Sequence, residues 1–143
     1  MARMNESTSA DTALTTADRL EIHELAARYG TTIDDRNWDG LEQLFSGDAV
    51  YELQGFGPRD RRLAGSAAIR RMMEESHEHP VAHHVTNVIV TVDGTEVRMR
   101  SKVIGSGAGG RVGSADYDDV LRREDGSWRI ARRVVTLRRA DPR

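Results

Sequence analysis

Apolar residues recur at helical spacing through the first part of the chain and alternate at strand spacing through the second half. Ile22, Leu25, Ala26, Tyr29 and Ile33 fall on one helical face. The segment "TTADRLEIHELAARYGTTIDD" therefore predicts a helix over residues 15–35, capped by Thr16 or Asp18. "NWDGLEQLF" (37–45) predicts a short second helix that buries Trp38, Leu41, Leu44 and Phe45. A third helix is expected over "GSAAIRRMMEESHEH" (65–79), with Ser66 as its cap and Ile69, Met72 and Met73 inward. Between them, "DAVYELQG" (48–55) reads as a strand and "FGPRDRRL" (56–63) as a loop.

After Pro80 the period changes to two. "VAHHVTNVIVTV" (81–92) reads as a strand ending in a hairpin turn at Asp93-Gly94. "TEVRMRSKVIG" (95–105) puts Val97, Met99, Ser101 and Val103 on one face and Arg98, Arg100 and Lys102 on the other. "RVGSADYDDVLRR" (111–123) aligns Ala115, Tyr117, Asp119 and Leu121, and "EDGS" turns the chain into a last strand, "WRIARRVVTL" (128–137). Helices with one early strand, followed by an antiparallel meander, indicate an α+β fold. The expected form is a strongly curved antiparallel sheet wrapped around the N-terminal helices, with an internal pocket. Residues 1–14, small and polar, are expected to be disordered, and 139–143 to form a polar tail around a single domain, 15–138.

Composition narrows the chemistry. The 143 residues suit one domain with a real core. There is no cysteine, which excludes disulfides, thiolate metal sites and cysteine nucleophiles. A formal net charge of -2 gives no global attraction for nucleic acid or an anionic membrane. The arginine pairs are interleaved with acids and lack a series of stacking aromatics, so they read as a solvated surface. No apolar run approaches the roughly 20 residues of a membrane helix, and the first residues lack the apolar stretch of a secretory signal. A cytoplasmic protein is expected. "SHEHPVAHH" holds His77, His79, His83 and His84, but His77 and His79 end a polar helix and are expected in water. No acidic ligand follows at a familiar spacing, so no metal is expected.

A few polar residues on apolar faces remain. Asp34 closes the first helix, where the negative end of the helix dipole disfavours a carboxylate's charge and suits the group to proton work. Taken by itself it reads first as a turn residue in water, beside Asp35. Tyr29 lies on the apolar face, so its hydroxyl needs a partner, either a substrate oxygen or a backbone carbonyl. Of the two adjacent histidines only one can face the core. His84 shares parity with Thr86, Val88, Val90 and Val92, a more apolar set than that of His83, which places His84 inside unless a bulge exchanges the two. A buried histidine beside a carboxylate can shuttle a proton near neutral pH. Tyr117 and Asp119 share an inward face, and Asp119 needs a partner there: His84, Arg132 or Arg133.

The segments "ELAARYGTTIDDRNWDGLEQLFSGDAVYEL", "HHVTNVIVTVDG" and "YDDVLRREDGSWRIARR", in this order and spacing, resemble the SnoaL-like branch of the nuclear transport factor two-like superfamily. The resemblance spans roughly residues 15–138. It implies a cone, a curved sheet cupped around helices, and homodimers paired through the open sheet face. Dehydratases of the scytalone and bile-acid types in this group line the cone with a Tyr, an Asp and a His. The bile-acid type sets its Tyr five residues before its Asp, a step that Tyr29 and Asp34 reproduce. By the scytalone pattern the matching histidine is His84. That type has a second histidine on the next strand, and "IGSGAGG" offers none here.

The resemblance thus implies a cofactor-independent acid–base enzyme of the polyketide-cyclase or dehydratase/isomerase kind. Its substrate would be an apolar oxygenated small molecule such as a polyketide- or steroid-like metabolite. Asp34, His84 and Tyr29 would be catalytic, supported by His83, Tyr51, Tyr117 and Asp119. Trp38, Phe45, Phe56, Met72, Met73 and Met99 would line the pocket. The alternative is a carrier of hydrophobic metabolites with the same cone and no catalysis.

Overall fold

Helix α1 (Thr16–Asp34) is capped by Thr15, one residue before the first expected cap. The Thr15 hydroxyl accepts from the Asp18 N–H at 3.0 Å, and the Asp18 carboxylate accepts from the Thr15 N–H at 2.9 Å, a reciprocal capping box. The structure, a computed structural model, describes residues 14–139. The expected disordered segment lies outside that range except for Leu14, which packs against the core, and the polar tail lies outside it beyond Arg139. Helix α2 (Trp38–Glu42) and helix α3 (Ser66–Glu75) complete the helical part.

Six strands form one sheet: β1 (Phe45–Gln54), β2 (Arg61–Ala64), β3 (Ala82–Asp93), β4 (Glu96–Ser106), β5 (Val112–Glu124) and β6 (Ser127–Leu137). Their order is β2-β1-β6-β5-β4-β3, an open curved sheet that cups the helices. This is the expected α+β architecture with two corrections. The sheet is mixed, because β1 runs parallel to β6. A parallel neighbour requires a long crossover, and here the chain supplies it by routing α3 and the whole meander between the two strands. The segment read as loop at 56–63 also contains most of β2, a four-residue edge strand too short and too charged to show a period.

One row of the sheet's inner face matters most. Register sets Met99 of β4 opposite Asp119 of β5, Asp119 opposite Arg133 of β6, and Arg133 beside Tyr51 of β1. Helix α1 closes over this face with Ile22, Leu25, Ala26, Tyr29 and Ile33 buried, the apolar stripe that its sequence spacing requires.

Candidate active site

Asp34 is the last residue of α1, and β3 passes directly beside it. The His83 backbone N–H donates to both carboxylate oxygens of Asp34, at 3.1 and 2.9 Å. The His83 ring meets the same carboxylate, with Nδ1 2.7 Å from Oδ1. An ionised carboxylate only accepts, so Nδ1 carries the hydrogen, and in the neutral tautomer that this contact selects Nε2 bears the lone pair. No protein group among the described residues bonds to Nε2, which is not among their buried unpartnered atoms. Side-chain exposures of 10% for His83 and 21% for Asp34 leave the pair sheltered but reachable. Gly30 makes the close approach possible: a Cβ there would lie 3.0 Å from the His83 carbonyl oxygen and 3.3 Å from its Cβ.

His83, not His84, is therefore the inward histidine, and His84 is exposed on the outer face. The cause is a β-bulge. Thr86 pairs with Lys102 and Ile89 with Arg100, so Asn87 and Val88 together oppose Ser101 alone. Asn87 absorbs the extra residue with φ 55°, a conformation that asparagine tolerates better than most residues. Val88 and Val90 turn toward the core after the bulge, and His83 and Val85 before it. The alternation read from Val88, Val90 and Val92 does not carry across to His84.

The remaining expected catalytic and supporting residues assemble elsewhere, deeper on the inner face. Tyr29 is buried, and its hydroxyl is 3.1 Å from that of Tyr51. Five residues advance a helix by about 500°, so Tyr29 and Asp34 leave α1 about 140° apart and serve different neighbourhoods. Arg133 is fully buried, and its Nε and Nη2 donate to the two carboxylate oxygens of Asp119, each at 2.7 Å. Its guanidinium lies 4.0 Å from the Tyr29 ring centroid and 4.1 Å from that of Tyr117. Burial pushes the Tyr51 and Tyr117 hydroxyls well above the usual phenol range, aided by the neighbouring tyrosines, so both stay neutral. Burial works against the charge on Arg133, but the Asp119 carboxylate outweighs it and holds the guanidinium protonated. Asp119 is pushed upward by the same burial, against the pull of Arg133.

The expected pocket lining divides in the same way. Phe45, Met73 and Met99 are closed core, with Phe45 edge-on to Tyr29 and Tyr51. Phe56 and Met72 are half-buried against that core, and the Arg59 guanidinium sits over the Phe56 ring. Trp38 stands at the mouth near the dyad. Beside it is His79, which the sequence placed in water and the structure half-buries: its ring is 6.1 Å from Trp38 and 6.4 Å from His83. Two surface cavities, of about 430 and 550 Å³, lie along α2 and the β5–β6 hairpin. Polar residues such as Glu42 and Arg70 line the first, Glu24 and Arg28 the second, Gln43 and Arg129 both, and neither reaches Asp34 or His83. The chemistry is not there. No cluster of three or more metal-ligating side chains occurs among the described residues, and no helix among them is long and apolar enough to cross a membrane.

Comparison with known proteins identifies the family and the fold. The family model for the SnoaL-like domain matches residues 15–134. The Mycobacterium tuberculosis protein Rv2910c is 34% identical over 129 residues, covering 84% of this chain and 85% of that protein. A Nostoc punctiforme protein with a cystatin-like fold superposes with a TM-score of 0.74 at 26% identity, over 87% of this chain and 94% of that one. At lower identity the likeness shows the fold alone. Examples are a scytalone-dehydratase-like protein from Novosphingobium aromaticivorans (TM-score 0.68, 18% identity, 86% and 85% coverage) and the hexachlorocyclohexane dehydrochlorinase LinA type 2 (0.70, 19%, 86% and 86%). The family match runs from α1 into β6 and so spans every residue of the dyad and of the buried tyrosine cluster, and the chain belongs to the SnoaL-like domain family.

Proposed function

We propose that this protein is an acid–base enzyme of the lyase or isomerase kind in which His83 Nε2 removes a proton from carbon. The single observation that carries this reading is the Asp34–His83 pair, with Nδ1 held by the carboxylate and Nε2 free. Asp34 orients the ring and stabilises the imidazolium that forms when Nε2 takes the proton. The Asp34 carboxylate is itself fixed by the His83 backbone N–H, so the base and its orienting group move as one unit. The substrate is an apolar oxygenated small molecule whose acidic C–H lies next to a carbonyl or opposite a leaving group. Loss of a β-hydroxyl gives dehydration, and attack by the carbanion within the same molecule gives cyclisation. The names of two fold neighbours, a scytalone-dehydratase-like protein and a dehydrochlorinase, point to the same class of elimination.

A carrier of bulky hydrophobic metabolites fits less well. Such a protein needs empty apolar volume on its inner face, and this face holds a buried guanidinium packed against two tyrosine rings. Pairing of two copies through the outer sheet face belongs to the same proposal, supported by Ile89 and Ile104, which stand exposed there.

The test is solvent-deuterium exchange into a panel of small aryl ketones, followed by mass spectrometry. His83→Ala and Asp34→Asn are expected to lower exchange by roughly 10²–10⁴-fold with thermal unfolding unchanged, whereas His84→Ala leaves it intact. Wild-type exchange rates in both dyad variants would remove the pair from the mechanism.

A further inference from the structure

His79 lies on the segment between α3 and β3, and that segment is pinned at several points. The Val81 N–H donates to the Ser106 carbonyl at 2.7 Å. Pro80 packs so tightly over Gly105 that a Cβ there would come within 2.7 Å of the proline ring. The His79 ring is fixed by its own hydrogen bond, with Nε2 2.6 Å from the Met73 carbonyl oxygen. A carbonyl only accepts, so Nε2 carries the hydrogen and Nδ1, on the other side of the ring, bears a lone pair. Nδ1 has no partner among the described residues and is not one of their buried unpartnered atoms.

The surroundings define what this nitrogen meets. Trp38, His79 and His83 form a row of rings with centroids 6.1 and 6.4 Å apart, and the Arg36 guanidinium stands 5.8 Å from the Trp38 centroid. Their planes are tilted by 37° and 59°, so a further aromatic ring can pack obliquely or edge-on against this group. Arg36 adds a permanent positive charge at the same edge, which disfavours cations. Burial, together with the positive charge of Arg36, holds the His79 imidazole below its ordinary value, so the ring is neutral and its lone pair available near pH 7.

We propose that His79 Nδ1 is a specificity-determining acceptor that selects aromatic substrates bearing a hydroxyl or N–H donor, and seats that donor beside the dyad. The assignment rests on the Asp34–His83 reading for its place in the reaction, but not for its measurement. Full-length ¹⁵N-labelled protein is titrated with phenol and, separately, with anisole, which has the same ring and an oxygen that only accepts. Phenol is expected to move the His79 Nδ1 resonance and the Trp38 indole N–H, and to bind roughly fivefold more tightly than anisole, the size of one net hydrogen bond. His79→Phe keeps a flat ring, removes the acceptor, and is expected to bring phenol to the anisole level. Equal binding of the two probes by the wild type, a phenol preference that survives in His79→Phe, or no His79 response to phenol would overturn the assignment. If His79→Phe does not fold, the wild-type Nδ1 response alone decides. His83→Ala separates the two proposals: exchange activity is lost while the phenol preference persists. Loss of that preference in His83→Ala but not in His79→Phe transfers the acceptor role to His83.

Discussion

The mouth and the floor of this molecule are built from similar groups with opposite outcomes. At the mouth, Asp34 holds His83 by one ring nitrogen and leaves the other free, with both side chains reachable. At the floor, Asp119 takes two donors of Arg133, two tyrosine rings roughly perpendicular to each other pack against the guanidinium, and the side chains are fully buried. Each region pairs an acid with a nitrogen base or cation. What separates them is the unused valence: the mouth retains a lone pair that solvent can reach, whereas Arg133 has only an unpartnered Nη1 that nothing outside can approach. Proton chemistry needs the first condition, and a stable core needs something close to the second.

Breaking the floor gives the largest expected effect. Asp119→Asn strips a buried cation of its charge partner and is expected to cost about 3–5 kcal/mol in denaturant unfolding. Replacing both partners with apolar residues, Asp119→Leu with Arg133→Met, is expected to recover most of it. If Asp119→Asn were neutral, the contrast between the two regions would collapse. Gly30→Ala sharpens the contrast from the other side. A new Cβ at 3.0 Å from the His83 carbonyl pushes β3 away from α1. Exchange activity is expected to fall on the order of 10- to 100-fold, while the better helix propensity of alanine, about 1 kcal/mol, offsets the strain in unfolding. Activity held at the wild-type level would mean that β3 can move without disturbing the dyad.

The smallest effect concerns pH. His79, faced by Arg36, His83 and Asp34, has its value lowered from 6.5, by burial first. The unfolded chain then binds a proton that the folded chain refuses between those two values. Stability from this group is complete above pH 6.5 and declines as the pH falls through that window. Denaturant midpoints at about pH 7.5 and about pH 5.5 should differ by less in His79→Phe than in the wild type.

The sequence was most legible where a period ran unbroken. The stripe of α1 and the alternation of Val97, Met99, Ser101 and Val103 along β4 stand as read, each of them buried on the inner side. Tyr117 and Asp119 also face inward as read, and Asp119 found one of its expected partners. The errors gather at irregularities. One extra residue at Asn87 exchanged the histidines. A second irregularity in the β5–β6 register, between Leu121↔Ile130 and Val120↔Arg132, sends Arg133 inward where strict alternation from Ile130 would send Arg132. The parallel pairing of β1 with β6 joins segments some 80 residues apart and leaves no local trace. His79 looked solvated because it follows a polar helix, and only the fold of Pro80 over Gly105 brings it under cover.

The bulge at Asn87 also bears on how such a site can change over generations. Deleting Asn87 would remove the bulge but leave the β4 partners of His83 and of Ile89 as they are, so His83 would still face Asp34. A one-residue deletion at this point would thus straighten the strand without exchanging the histidines, because the bulge already holds the surplus residue.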